Sequence, residues 1–177
     1  MKRMIVVRVD RCLGCKSCEI ACAVEHSDAK ELAAAVLACE RVGSAVSITA
    51  CQGRAVPIHC NHCDDAPCVI VCPTGAISRR SPDDPVLVDK DRCIGCRMCV
   101  QACPFGVIVM NPSGRGAAKC DLCVARQRQG RDPACAEACP TGALVFGRED
   151  AALRNKRHEA AERILAGSRK QTGTSGQ

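Results

Sequence analysis

Sixteen of the eighteen cysteines in this 177-residue chain fall into four groups with the spacing of thiolate ligands. The groups are Cys12, Cys15, Cys18 and Cys22; Cys60, Cys63, Cys68 and Cys72; Cys93, Cys96, Cys99 and Cys103; and Cys120, Cys123, Cys135 and Cys139. The first and third read C-x2-C-x2-C-x3-C, the second C-x2-C-x4-C-x3-C and the fourth C-x2-C-x11-C-x3-C. Proline follows the last cysteine of every group except the first, where Ala23 stands. Thiolates three residues apart on a tight loop can each reach a different corner of an iron–sulfur cubane, while the loop amides point at the sulfurs and lower the cost of their charge. Gly14 and Gly95 suit such a loop, because a residue without Cβ takes positive φ and lets the backbone stay close to the metal. Four tetrahedral zinc ions are the competing use of sixteen thiolates, but zinc pairs do not carry a third cysteine three residues on. The expected cofactors are therefore four 4Fe-4S clusters, and the chemistry is one-electron transfer.

Other chemistry finds little support. Glu19, Glu25 and Glu137 are isolated carboxylates with no partner in the sequence, and no nucleophile triad, phosphate loop or dinucleotide fingerprint is present. Cys39 and Cys51 lie outside the groups and are expected to be small buried hydrophobes. His59 and His62 sit in a group whose four thiolates are already complete, so they are read as packing or as hydrogen-bond donors behind the ligands.

The formal charge of +6 is lopsided, with 13 basic and 12 acidic side chains in residues 1–114 but 12 and 7 in 115–177. Four oxidised clusters with their thiolates carry about −2 each, which brings the loaded protein to about −2. With no Tyr or Trp to stack on bases, a nucleic-acid partner is not expected. The opening MKRMIVVRVD lacks the pattern of a secretory signal, which leads to the expectation of a cytoplasmic setting, and no run is apolar enough to insert in a bilayer.

The elements that must position these cysteines repeat. Shifted by 81 positions, Asp10-Arg11-Cys12-Leu13-Gly14-Cys15-Lys16-Ser17-Cys18 falls on Asp91-Arg92-Cys93-Ile94-Gly95-Cys96-Arg97-Met98-Cys99. Cys72-Pro73-Thr74-Gly75-Ala76-Ile77 likewise returns as Cys139-Pro140-Thr141-Gly142-Ala143-Leu144. Short β-type runs cover Ile5 to Val9, Ala45 to Thr49, Val56 to Ile58, Val86 to Val88, Val107 to Met110 and Leu144 to Phe146, with Gln52-Gly53 as a hairpin turn. Helices are predicted over Ser17 to His26, over Arg97 to Cys103, and over Asp28 to Cys39 with Asp28 as N-cap. Glu149 to Ala166 has the pattern of an amphipathic helix, followed by a polar tail expected to lack structure.

From residue 4 to about 147 the chain resembles the four-cluster 4Fe-4S polyferredoxin subunits that accompany complex oxidoreductases. These include carbon monoxide dehydrogenase, formate hydrogenlyase, formate dehydrogenase, tungsten aldehyde oxidoreductase and benzoyl-CoA reductase. All sixteen grouped cysteines and the opening Arg11-Cys12-Leu13-Gly14-Cys15-Lys16-Ser17-Cys18-Glu19 carry the likeness. The resemblance implies an α+β fold of two ferredoxin-like dicluster modules related by a pseudo-twofold axis, one inserted in the other. The outer module would be 1–43 and 112–148, the inner 44–111, and 149–177 the C-terminal helix and tail. It also implies exchanged ligands. One cluster would take Cys12, Cys15, Cys18 and Cys139; the second Cys120, Cys123, Cys135 and Cys22; the third Cys60, Cys63, Cys68 and Cys103; the fourth Cys93, Cys96, Cys99 and Cys72. The implied role is a non-catalytic relay of single electrons to or from the catalytic subunit of a cytoplasmic low-potential oxidoreductase, with a second carrier subunit or further copies of this chain as additional partners. A free-standing soluble ferredoxin carrier is the alternative.

Overall fold

The structure is a computed structural model that describes residues 2–40, 43–111, 116–148 and 160–161. The expected C-terminal helix and tail lie outside these residues, except for Ala160 and Ala161, which are helical. In chain order the elements are β1 (Arg3–Val7), α1 (Ser17–His26), α2 (Leu32–Leu37), β2 (Val46–Cys51), β3 (Arg54–His59), α3 (Pro67–Ile70), β4 (Ile77–Ser78) and β5 (Leu87–Val88). They continue with α4 (Met98–Ala102), β6 (Val109–Met110), β7 (Ala117–Ala118), α5 (Val124–Arg128), α6 (Ala134–Glu137) and β8 (Leu144–Arg148).

The described strands pair antiparallel in twos: β1 with β8, β2 with β3, β4 with β5 and β6 with β7. The first pair joins the two ends of the cysteine-bearing region, setting Ile5 opposite Phe146 and Val7 opposite Leu144. At the tip of the second, Gln52 and Gly53 both take positive φ, +49° and +75°, the geometry that matches the right-handed twist of a two-residue hairpin. The 81-residue repeat is also a backbone repeat. Gly14 and Gly95 have φ of +69° and +73°, and α1 and α4 each start after a left-handed residue, Lys16 at +61° and Arg97 at +65°.

The second helix is shorter than expected. Asp28 does not cap it; Glu31 does, its carboxylate accepting from the amides of Ala33 and Ala34 at 3.0 and 2.8 Å. Lys30 at φ +56° breaks helical geometry ahead of that point, and Asp28 is held instead by its own amide, which donates to Glu40 at 2.8 Å.

Buried side chains gather in two cores. Ile5, Val46, Leu122, Leu144 and Phe146 meet Cys18, Cys22, Cys60, Cys120 and Cys135 in one. Ala66, Ile77, Val86, Ile108 and Ala117 surround Cys99 in the other. The β2–β3 hairpin, which the expected boundaries assign to the inner module, packs into the first core through Val46 and Ile48. Likewise β6 and β7 pair across the expected boundary at 111/112. The reason is apolar pattern: Val46 and Ile48 sit two apart on one strand face and need the cover that α1 supplies.

One charged group ties three helices. Arg126 of α5, 8% exposed, donates to Glu25 of α1 at 2.7 Å, to Glu137 of α6, and through Nε to the Asp132 carbonyl at 2.9 Å. Two of the carboxylates that looked isolated in sequence thus share one guanidinium. Arg126→Ala should lower stability by about 3 kcal/mol, because Glu25 is left half-buried and unpaired. Urea unfolding followed by circular dichroism measures this; a loss below about 1 kcal/mol would mean the cluster of charges is merely solvated.

Candidate metal centres

The grouped cysteines do not stay with their sequence neighbours. Cys12, Cys15 and Cys18 line one pocket with Cys139. Cys93, Cys96 and Cys99 line another with Cys72, and Cys60, Cys63 and Cys68 a third with Cys103. In each case the fourth thiol comes from another group. Cys22, the remaining end cysteine, lies among the last group. Burial pushes the Cys135 thiol up to about 12, and the neighbouring charges of Cys22, Cys123 and Cys18 push the same way.

Those neighbours also give an order. Cys135 feels Cys18 from the Cys12 pocket, and Cys120, raised chiefly by burial, feels Cys60 of the next pocket. The pockets containing Cys60 and Cys93 then share the second core, against which Cys63, Cys68, Cys72, Cys93 and Cys103 all pack. The four sets form a series, and each end carries an exposed thiol, Cys15 at one and Cys96 at the other.

Backbone amides are aimed at the sulfurs. Ala45 donates to Cys22 Sγ at 3.3 Å, Leu144 to Cys139 and Leu122 to Cys120 at 3.4 Å, Ala117 to Cys93 at 3.4 Å and His62 to Cys60 at 3.5 Å. Such donors stabilise thiolate over thiol. The C-P-T-G-A repeat acts here too, since Thr74 and Thr141 place their hydroxyls 3.8 Å from Cys72 and Cys139. Burial alone would raise the Cys72 and Cys139 thiols, but these amides and hydroxyls outweigh it and both end up lowered.

His26 is a site residue that sequence reading did not single out. Its Nδ1 lies 2.7 Å from the Cys22 carbonyl and 3.8 Å from Cys22 Sγ, and its Nε2 lies 3.1 Å from Asp121. A carbonyl and a carboxylate can only accept, so both ring nitrogens carry protons. The Asp121 carboxylate, followed by Cys22, pushes the imidazole up to about 11. The cation therefore sits beside Cys22, whose thiol burial would raise but which His26 and the Ala45 amide lower. Only the ninety-five-residue separation hid this pair.

Other expectations need correction. Cys39 and Cys51 are exposed, not buried; Cys51 ends β2 at the hairpin tip, and Cys39 follows α2 in a left-handed conformation, φ +51°. Glu19 accepts from the Ile48 amide at 2.5 Å, so it clamps the hairpin to α1. His59 and His62, by contrast, are both buried, which agrees with their reading as packing groups or donors behind the ligands.

Four thiols per set and amides pointing at the sulfurs fit an iron–sulfur cluster. The model of the 4Fe-4S dicluster domain matches residues 51–149, and a 4Fe-4S binding domain matches 9–25. The chain belongs to the 4Fe-4S dicluster family. Its cofactors are 4Fe-4S clusters, and sixteen grouped cysteines are the complement of four. Among relatives of this dicluster protein, an iron-sulfur protein of Rhodospirillum rubrum is 41% identical and covers 93% of this chain and 92% of its own. The thiosulfate reductase electron transfer subunit PhsB of Salmonella typhi is 46% identical, covering 79% and 72%. The electron transport protein HydN of Escherichia coli K12 is 39% identical, covering 82% and 87%. Within this family of iron–sulfur electron-transfer proteins, the small mixed helix-and-strand fold is the expected one. No described helix is long and apolar enough to cross a membrane.

Proposed function

We propose that this protein is the non-catalytic electron-transfer subunit of an oxidoreductase, relaying single electrons along four 4Fe-4S clusters in series to or from a catalytic partner. The ligand sets would be Cys12, Cys15, Cys18 and Cys139; Cys120, Cys123, Cys135 and Cys22; Cys60, Cys63, Cys68 and Cys103; and Cys93, Cys96, Cys99 and Cys72. The observation that carries the reading is the series of four cysteine sets, with Cys15 and Cys96 exposed at its ends. When bound, the clusters supply one-electron capacity and no bond chemistry. The chain's own residues do the rest: thiols hold, amides and Thr74 and Thr141 offset charge, and the two cores exclude water. Leu13 and Ile94, equivalent in the repeat, stand 73% and 69% exposed beside the end cysteines. Apolar side chains exposed at both ends of a series support docking there by redox partners.

A two-module arrangement, with the segment between β3 and the Cys120 group inserted in the outer module, is part of this proposal; the β1–β8 and β6–β7 pairings support it. A cytoplasmic setting, and a low-potential partner such as an aldehyde, carbon monoxide or formate oxidoreductase, belong to the same reading. Anaerobically purified protein should be brown and contain about sixteen iron and sixteen acid-labile sulfide per chain, and should copurify with a catalytic subunit that it reduces or oxidises. Eight or fewer irons in a fully reconstituted sample would overturn the relay. Full iron with transfer to several unrelated reductases and no associated subunit would make it a free carrier.

A further inference from the structure

His62 occupies the turn between Cys60 and Cys63 and lines the pocket those cysteines share with Cys68 and Cys103. It is 3% exposed. The amide of Val86 donates to its Nδ1 at 3.0 Å. An amide can only donate, so Nδ1 must offer a lone pair and the ring proton sits on Nε2. That Nε2 is buried and has no hydrogen-bond partner among the described residues. Buried donors are satisfied in nearly every native structure, so an acceptor belongs in this pocket. Lys119, 9% exposed, lines it too, its ammonium donating to the Val86 carbonyl and, at 2.8 Å, to the Cys120 carbonyl. The Val86 residue therefore anchors both groups, one through its amide and one through its carbonyl.

The chain contains its own reference for this arrangement. Leu122 stands between Cys120 and Cys123 as His62 stands between Cys60 and Cys63. Both are left-handed, with φ of +56° and +46°, and both are buried. Each amide donates to the first sulfur of its group, at 3.4 and 3.5 Å. The backbone station is the same; only His62 adds a side-chain donor. The Val86 amide donating to Nδ1 leaves the ring that single donor, on Nε2.

We propose that His62 Nε2–H donates to a sulfur of the cluster held by Cys60, Cys63, Cys68 and Cys103 and, with the Lys119 ammonium beside it, raises the reduction potential of that one cluster. The inference rests on the four-cluster reading. A donor to sulfur favours the reduced, more negative cluster over the oxidised one, so the device sets a step within the relay, one that the Leu122 station lacks.

The test is an EPR-monitored redox titration of the full chain, purified anaerobically, with iron counted in every sample. H62N keeps a carbonyl oxygen for the Val86 amide and tolerates the left-handed backbone, but it removes the Nε2 donor. It should lower one of the four midpoints by at least a tenfold change in the reduced-to-oxidised ratio, 59 mV for one electron, with iron content unchanged. H62Q restores a donor near the Nε2 position while losing the Val86 bond, and should return that midpoint toward the parent value. An unmoved midpoint in H62N, or a larger shift in H62Q than in H62N, would overturn the proposal and leave His62 as an anchor for Val86. Should H62N lose iron, H62L, which copies the Leu122 station, takes the same measurement with the same two outcomes. Low iron in the unsubstituted protein would instead remove the four-cluster reading beneath it.

Discussion

Replacing Cys72 by alanine will remove the cluster bound by Cys93, Cys96 and Cys99 and spare the one bound by Cys60, Cys63 and Cys68, although Cys72 belongs in sequence to the latter. The thiol lines the pocket of the former three, while Cys103 completes the latter. Iron should fall from about sixteen to about twelve per chain, and the reciprocal Cys103→Ala should strike the Cys60 set. Cluster-resolved EPR of each single variant, compared with Cys96→Ala and Cys63→Ala, identifies which signal is lost. If Cys72→Ala and Cys63→Ala erase the same signal, the ligand exchange is wrong.

Stripping iron and sulfide should unfold most of the chain. Half of the buried residues in the first core are cysteines, Cys18, Cys22, Cys60, Cys120 and Cys135, and the whole sequence has two Phe and no Trp or Tyr. Five of the described α-helices have six residues or fewer and no more than two buried side chains apiece, too short to persist alone. Burial also raises Cys18 to about 11, so without a cluster that core position holds a protonated thiol. Metal–thiolate sites of this kind contribute on the order of 10 kcal/mol of folding free energy each, more than the net stability of an ordinary domain. Chelation under reducing conditions should therefore abolish the far-ultraviolet circular dichroism of the helices and expose the chain to trypsin within the time of cluster loss. An apoprotein that kept a cooperative unfolding transition would show that the two cores suffice, contrary to this expectation.

The sequence by itself determined what is local. The C-x2-C-x2-C spacing dictates a tight ligand loop, and Gly14 and Gly95 take the positive φ that such a loop needs. Ser17–His26 is helical over the span its pattern predicts, and Gln52-Gly53 turns the hairpin. Each of these rests on contacts between residues a few positions apart, where backbone sterics and side-chain period decide the outcome. The family, and with it the cofactor, was legible for the same reason.

Tertiary structure decided what is distant. No rule of spacing brings Cys139 into the pocket of Cys12, Cys15 and Cys18; that follows from β1 closing on β8, which carries the segment after the last cysteine back to the first loop. Glu25 and Glu137 looked unpaired until α5 set Arg126 between them, and His26 acquired its charge only when Asp121 arrived from the last group. The helix start expected at Asp28 failed because Glu31, in competition with it, reached two amides at once. His62 shows the limit most plainly: its residue type marks a possible donor, but the tautomer that makes it one is set by the amide of Val86, twenty-four residues away. Spacing encodes what a short loop can reach, whereas proton positions and shared pockets depend on which distant backbone groups the packed cores bring within hydrogen-bond distance.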